Sequence, residues 1–211
     1  MTLENNLSGA SFGILGDSYS TFQGHIPEGN SVYYPRKDVD DVLEVEHTWW
    51  HQLMAKHGMN LLVNDSWSGA TVCTNTRDGQ PPISAFVERA KRSFSGDSKP
   101  DYIFLFGCTN DSWLDRAVGE VKFADRTEED LFCVLPAYSF CLEYLTEHNP
   151  QAKVVAVINT GLKPEIISGM QVAAEHYGAT VVVLKNIDKQ HGHPTALGMR
   201  QIMEQVEAKL L

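Results

Sequence analysis

Residues 12–22 read FGILGDSYSTF. An uninterrupted run of small and apolar residues ends abruptly at Gly16-Asp17-Ser18, and a polar, aromatic stretch follows. A run this continuous suits a strand covered on both faces, not one that alternates between core and water. Four more runs have the same character, at 61–64, 101–106, 153–158 and 180–184. Helical patterns lie between them. Thr48 is placed to cap a helix over 48–57 that stops at Gly58. Ile83, Phe86, Val87, Ala90 and Phe94 make one apolar helix face. Thr127-Glu128-Glu129-Asp130 reads as a capping box with an acidic first turn, opening a helix over 127–148. Further helices are expected over 165–177 and 195–210. Strand and helix alternate, which predicts an α/β fold with helices on both faces of a five-stranded parallel sheet.

The length, 211 residues, suits one domain spanning 1–211, with no internal repeat or linker. The formal net charge is −10, from 17 basic against 27 acidic residues. That balance argues against nucleic acid and against an anionic membrane surface as partners. The four cysteines, Cys73, Cys108, Cys133 and Cys141, form no CxxC pair, so no metal site is expected. The first residues carry no basic segment followed by an apolar stretch, and no run approaches the length needed to span a bilayer. A cytoplasmic protein with reduced thiols is the expectation.

Two connections, about 19–46 and 111–126, are long for a compact domain and follow the C-terminal ends of expected strands, where ligands sit in open α/β sheets. The first carries His25, Tyr33, Tyr34 and Pro35 and leads to Trp49-Trp50. The second begins Asp111-Ser112-Trp113.

Four short segments lie at or beside strand ends: Gly16-Asp17-Ser18, Trp67-Ser68-Gly69-Ala70, Phe106-Gly107-Cys108-Thr109-Asn110-Asp111, and the run His191 to Gly198 that reads HGHPTALG. Each is weak alone. Ser18 reads equally as a turn or cap serine, Gly69 as a turn glycine, Asn110-Asp111 as a loop pair, and His193 as a surface or capping histidine before the helix cap Thr195. In this order after successive strands, the chain resembles the SGNH hydrolases, the GDSL-type esterases and lipases, over residues 12–200. Gly16-Asp17-Ser18 matches the first block, with Tyr19 where many members have Leu. Gly69 matches the second block, Asn110-Asp111 the third, and His193-Pro194 the last.

The resemblance implies a three-layer, flavodoxin-like α/β/α fold and a cofactor-free serine esterase. A serine hydroxyl needs a neighbouring base, and a histidine suits that task at neutral pH. Ser18 is then the nucleophile, and of the two histidines His191 and His193 the base is His193, which has the following proline and the downstream Gly198, with His191 as the alternative. The oxyanion donors are the N–H groups of Ser18 and Gly69 and the amide of Asn110. Tyr19, Tyr34, Trp113 and His191 are candidates to line the substrate pocket.

Two departures bear on this assignment. The family spaces its acid and base as Asp-x-x-His-Pro, but Gln190 stands three before His193. Asp188 is five before His193 and three before His191. Either Asp188 orients His193 across a bulged loop, or a backbone carbonyl does so and leaves a Ser–His dyad. Cys108 also stands where the pattern has glycine, with two outcomes: it crowds the substrate or packs into the core. Asp17 is expected to hold the serine turn through its carboxylate.

The expected substrate is a small acyl ester, acetyl-like, on a carbohydrate that meets the flat faces of Tyr33, Tyr34, Trp49, Trp50 and Trp113. Lysophospholipase, thioesterase, acyltransferase and a non-catalytic binding protein are the alternatives. Activity is expected to fall as pH drops through the ordinary histidine pKa of about 6.5.

Overall fold

The computed structural model describes residues 7–211. Its five long strands are β1 (Ser11–Gly16), β2 (Asn60–Ser66), β3 (Tyr102–Gly107), β4 (Lys153–Ile158) and β5 (Thr180–Val183). They form one sheet in the order β2-β1-β3-β4-β5, every pair parallel. The continuous apolar runs are explained by burial on both sides. Along β3, Ile103 and Leu105 join one core, while Tyr102, Phe104 and Phe106 join the other. Helices α2 (Phe86–Ser93), α4 (Val134–His148) and α5 (Pro164–His176) cover the first face; α1 (Trp49–His57) and α6 (Ala196–Leu210) cover the second. The result is the expected three-layer sandwich.

The strand order has a consequence for ligands. From β1 the chain steps to β2 on one side, then returns to β3 on the other, so connections leave β1 and β3 in opposite directions. A crevice opens at the carboxyl ends of β1 and β3, the usual binding position in open α/β sheets. Ser18 lies just beyond β1. Asn110 lies just beyond β3, in the short helix α3 (Thr109–Trp113).

Helix starts depart from expectation in two places. The reciprocal bonds of the capping box form, with Thr127 N–H donating to Asp130 Oδ2 at 2.8 Å and Asp130 N–H to Thr127 Oγ1 at 3.3 Å. They lead into only one 3₁₀ turn at Asp130–Phe132, and α4 begins at Val134. Pro136 is the reason: its ring would clash with the carbonyl four residues back, at Phe132. Extended Cys133 separates the two segments. Similarly, α2 begins at Phe86 rather than 83, because Phe86 N–H is drawn to Thr71 O at 3.0 Å and Ala85 is extended. Ile83 is left 46% exposed.

The long connection after β1 is tied down at several points. Asn30 Nδ2 donates to Asp65 Oδ1 and Ser66 O, each at 3.0 Å. Buried Asp65 also accepts from Arg92 and Ser93 of α2, and its backbone carbonyl accepts from fully buried Arg89. Tyr33 N–H donates to Thr21 Oγ1 at 3.0 Å. Trp49 and Trp50 do not reach a ligand. Both are fully buried core residues whose indole N–H groups donate to Ser20 Oγ and Ser20 O, each at 3.1 Å. Among the described residues no helix is long and apolar enough to cross a membrane.

Candidate active site

Asp17 follows β1 and caps a single 3₁₀ turn at Ser18–Ser20, its Oδ1 accepting Tyr19 N–H at 3.0 Å. The carboxylate thus braces the serine turn, as a structural reading of Asp17 requires. Burial pushes its pKa up to about 6, opposed by the Tyr19 N–H and the Thr109 hydroxyl. Ser18 heads this turn, and its Oγ lies 2.9 Å from His193 Nε2.

His193 arrives on a β-hairpin of β6 (Lys189–Gln190) and β7 (His193–Pro194), joined by His191-Gly192. Both turn residues have positive φ, 51° and 79°, the geometry of a two-residue hairpin turn. The hairpin explains the unusual spacing. It brings the His191 carbonyl to 3.3 Å from His193 Nδ1 and carries Asp188 away. The Asp188 carboxylate instead accepts the Thr195 hydroxyl at the start of α6, and its N–H donates to Gln201 Oε1 at 2.7 Å. Asp188 therefore makes no bond to His193, whose Nδ1 faces a backbone carbonyl instead. Gly198 belongs to this arrangement, since a Cβ there would overlap the Asp188 carbonyl oxygen. With Nδ1–H donating to His191 O, Nε2 is left as the acceptor for the Ser18 hydroxyl, the tautomer a general base needs.

The environment of His193 is aromatic and cationic. Tyr33 stacks on it at 3.5 Å between ring centroids and 10° between planes. Tyr19, Trp113 and Tyr34 lie 5.5, 5.7 and 6.4 Å away. Arg36, 4.8 Å from the Tyr33 centroid, and Lys189 add positive charge. Desolvation, with these two cations, lowers the His193 pKa to about 4, against the raising effect of the His191 carbonyl. His193 is therefore neutral through the neutral and mildly acidic range.

The three expected oxyanion donors lie on the loops after β1, β2 and β3. The N–H groups of Ser18 and Gly69 have no acceptor among the described residues. Asn110 Nδ2 donates one hydrogen to Ala70 O at 2.9 Å, which ties α3 to the glycine loop and leaves its second hydrogen available. Asp111 reinforces the tie by accepting Val72 N–H at 2.9 Å and Cys73 N–H at 3.2 Å. Gly69 has φ +81°, so its glycine answers a backbone requirement, not merely close approach of substrate. A Cβ there would also stand 2.7 Å from Gln80 Nε2.

The other expected residues divide between walls and rim. Tyr19 and Tyr34 are fully buried, and their hydroxyls donate to Gly192 O at 2.5 Å and Pro194 O at 2.7 Å. They hold the histidine hairpin in place. Trp113, 49% exposed, and half-buried Tyr33 remain open at the mouth, with exposed His191 beside them. Cys108 takes the left-handed conformation at φ 68° that glycine would adopt without cost, and its fully buried thiol packs into the core. Burial pushes that thiol well above the ordinary cysteine range, which removes it as a nucleophile. Arg36, Lys189 and the stacking of Tyr33 escaped sequence reasoning, because no motif spacing connects them to the histidine.

Residues 10–210 match the family described as GDSL-like Lipase/Acylhydrolase. Among solved structures, a Bacteroides ovatus protein described as a GDSL-like lipase is 37% identical, with a TM-score of 0.88 over 95% of this chain and 97% of its own. A protein of the same description from Bacteroides uniformis is 36% identical, with a TM-score of 0.87 over 94% and 93%. An acetyl xylan esterase from the rumen bacterium Butyrivibrio proteoclasticus shares the fold at 15% identity and a TM-score of 0.57, over 95% of this chain and 63% of its own. No curated protein matches. With a serine and histidine in contact at the crevice, the chain belongs to the GDSL-like lipase/acylhydrolase family and is an ester-hydrolysing serine hydrolase.

Proposed function

We propose that the protein cleaves small acyl esters through a Ser18–His193 dyad whose histidine is oriented by the His191 carbonyl. Ser18 Oγ attacks the ester carbonyl while His193 Nε2 takes the hydroxyl proton. The oxyanion meets the N–H groups of Ser18 and Gly69 and the Asn110 amide. The imidazolium then gives its proton to the departing alcohol, leaving an acyl group on Ser18. A water activated by the same Nε2 attacks this acyl-enzyme, and carboxylic acid leaves as Ser18 recovers its proton.

The observation that carries this reading is the 2.9 Å approach of Ser18 Oγ to His193 Nε2, with Nδ1 facing a carbonyl. Ser18 and Asn110 are 1% and 3% exposed, which leaves little room around the reacting carbonyl and favours a small acyl group. Trp113 and Tyr33 offer flat apolar faces to the alcohol half, consistent with a sugar-like alcohol.

Hydrolysis of p-nitrophenyl esters of increasing acyl length, by wild type and Ser18→Ala, tests it. Wild type should prefer acetate, and the variant should lose about 10⁴-fold or more in turnover. Preference for long chains would refute the small acyl group. Equal inactivity of both proteins on every ester would refute the enzyme mechanism.

A further inference from the structure

The chain carries a formal charge of −10, yet cations gather at its reacting groups. Arg77 is exposed and forms no ion pair among the described residues. Its guanidinium Nη1 stands 3.6 Å from where a Cβ on Gly69 would lie, directly beside the oxyanion loop. The segment bearing it is held there. Gln80 N–H closes a turn on Arg77 O at 2.9 Å, Gln80 Nε2 donates to Ser68 O at 2.8 Å, and Arg116 Nη2 donates to Thr76 O at 2.7 Å. On the histidine side lies Arg36, over Tyr33 and likewise outside ion-pair distance of any carboxylate among the described residues. Lys189 Nζ answers two neutral oxygens, Asn159 Oδ1 at 3.1 Å and Thr160 O at 3.3 Å. The acid that faces Arg36 is Asp40. An unpaired guanidinium on a segment held in this way does little for the fold; it forms a fork that a carboxylate can occupy with two hydrogen bonds.

We propose that the alcohol half of the substrate ester bears a carboxylate, bound by Arg77 beside the oxyanion loop, with Arg36 and Lys189 attracting it into the crevice. The inference rests on the esterase reading above. It assigns the charge to the alcohol because the esterase reading takes a small acyl group at buried Ser18, whereas Arg77 is open to solvent.

The test compares 4-acetoxybenzoate with its neutral analogue 4-acetoxybenzamide, each rate divided by that ester's own hydroxide rate, at pH 7. Wild type should favour the carboxylate about tenfold or more in kcat/KM, mostly through KM, which corresponds to one decade of affinity. The preference should shrink as salt shortens the screening length. It should fall towards one in Arg77→Met and survive in part in Arg77→Lys. A wild-type ratio at or below one, or a ratio unchanged in Arg77→Met, overturns the proposal. Ser18-dependent turnover of the benzamide separates this failure from failure of the esterase reading, which would abolish hydrolysis of both esters.

Discussion

The acid limb of the pH–rate profile is the sharpest consequence of the dyad. A base must be neutral to accept the serine proton, so lowering its pKa extends activity to more acidic solution. With a His193 pKa of about 4, the imidazole is about 90% neutral at pH 5, against about 3% for an ordinary histidine near 6.5. The expected kcat/KM for a neutral aryl acetate is therefore almost flat from pH 8 down to about 5 and halves near 4. This replaces the expectation of a limb near 6.5. The physical cause is desolvation by the aromatic walls, reinforced by Arg36 and Lys189, with a neutral carbonyl at Nδ1 where a carboxylate would have raised the value. Arg36→Met removes one cation and should move the limb upward. One other carboxyl beside the serine titrates in this range: Asp17, at about 6. A limb near 6 that disappears in Asp17→Asn belongs to that carboxyl. A limb near 6.5 that persists in Asp17→Asn would refute the lowered His193 pKa and the desolvation argument behind it.

Two substitutions test the remaining assignments. Asp188→Ala should retain turnover within a few-fold and lower Tm, because it loses the Thr195 hydroxyl bond, worth about 1 kcal/mol. Loss of about 10⁴-fold in kcat, the scale seen when a triad aspartate is replaced, would restore Asp188 as the orienting acid. Asn110→Ala removes one oxyanion donor and the bond to Ala70 O. A fall of about 10²–10³ in kcat with little change in KM is expected, and an unchanged kcat would exclude it from the oxyanion site.

Much of the fold was legible in local pattern. Continuous apolar runs at 11–15 and 101–106 identify strands because both faces of each are buried, and that demand is written residue by residue. Cap signals at Thr48 and Gly58 were equally local, and the bounds of α1 follow them. The start of α4 was not: the box at Thr127 forms, but Pro136 further on decides where the helix begins. Trp49 and Trp50 show a different limit, since an aromatic pair reads the same whether it meets a sugar or seals a core.

The catalytic pairing separates the two kinds of information. Ser18 and His193 were identifiable because the chemistry demands those residue types, and the order of their blocks along the chain preserves the demand. Their contact spans 175 positions and exists only because the hairpin that follows β5 returns to the turn after β1. The group facing Nδ1 is a backbone carbonyl, which every residue possesses and no sequence pattern can single out. The pKa of the base is likewise the sum of burial and of cations drawn from separate segments, Arg36 and Lys189, so it arises only when the chain closes around the histidine.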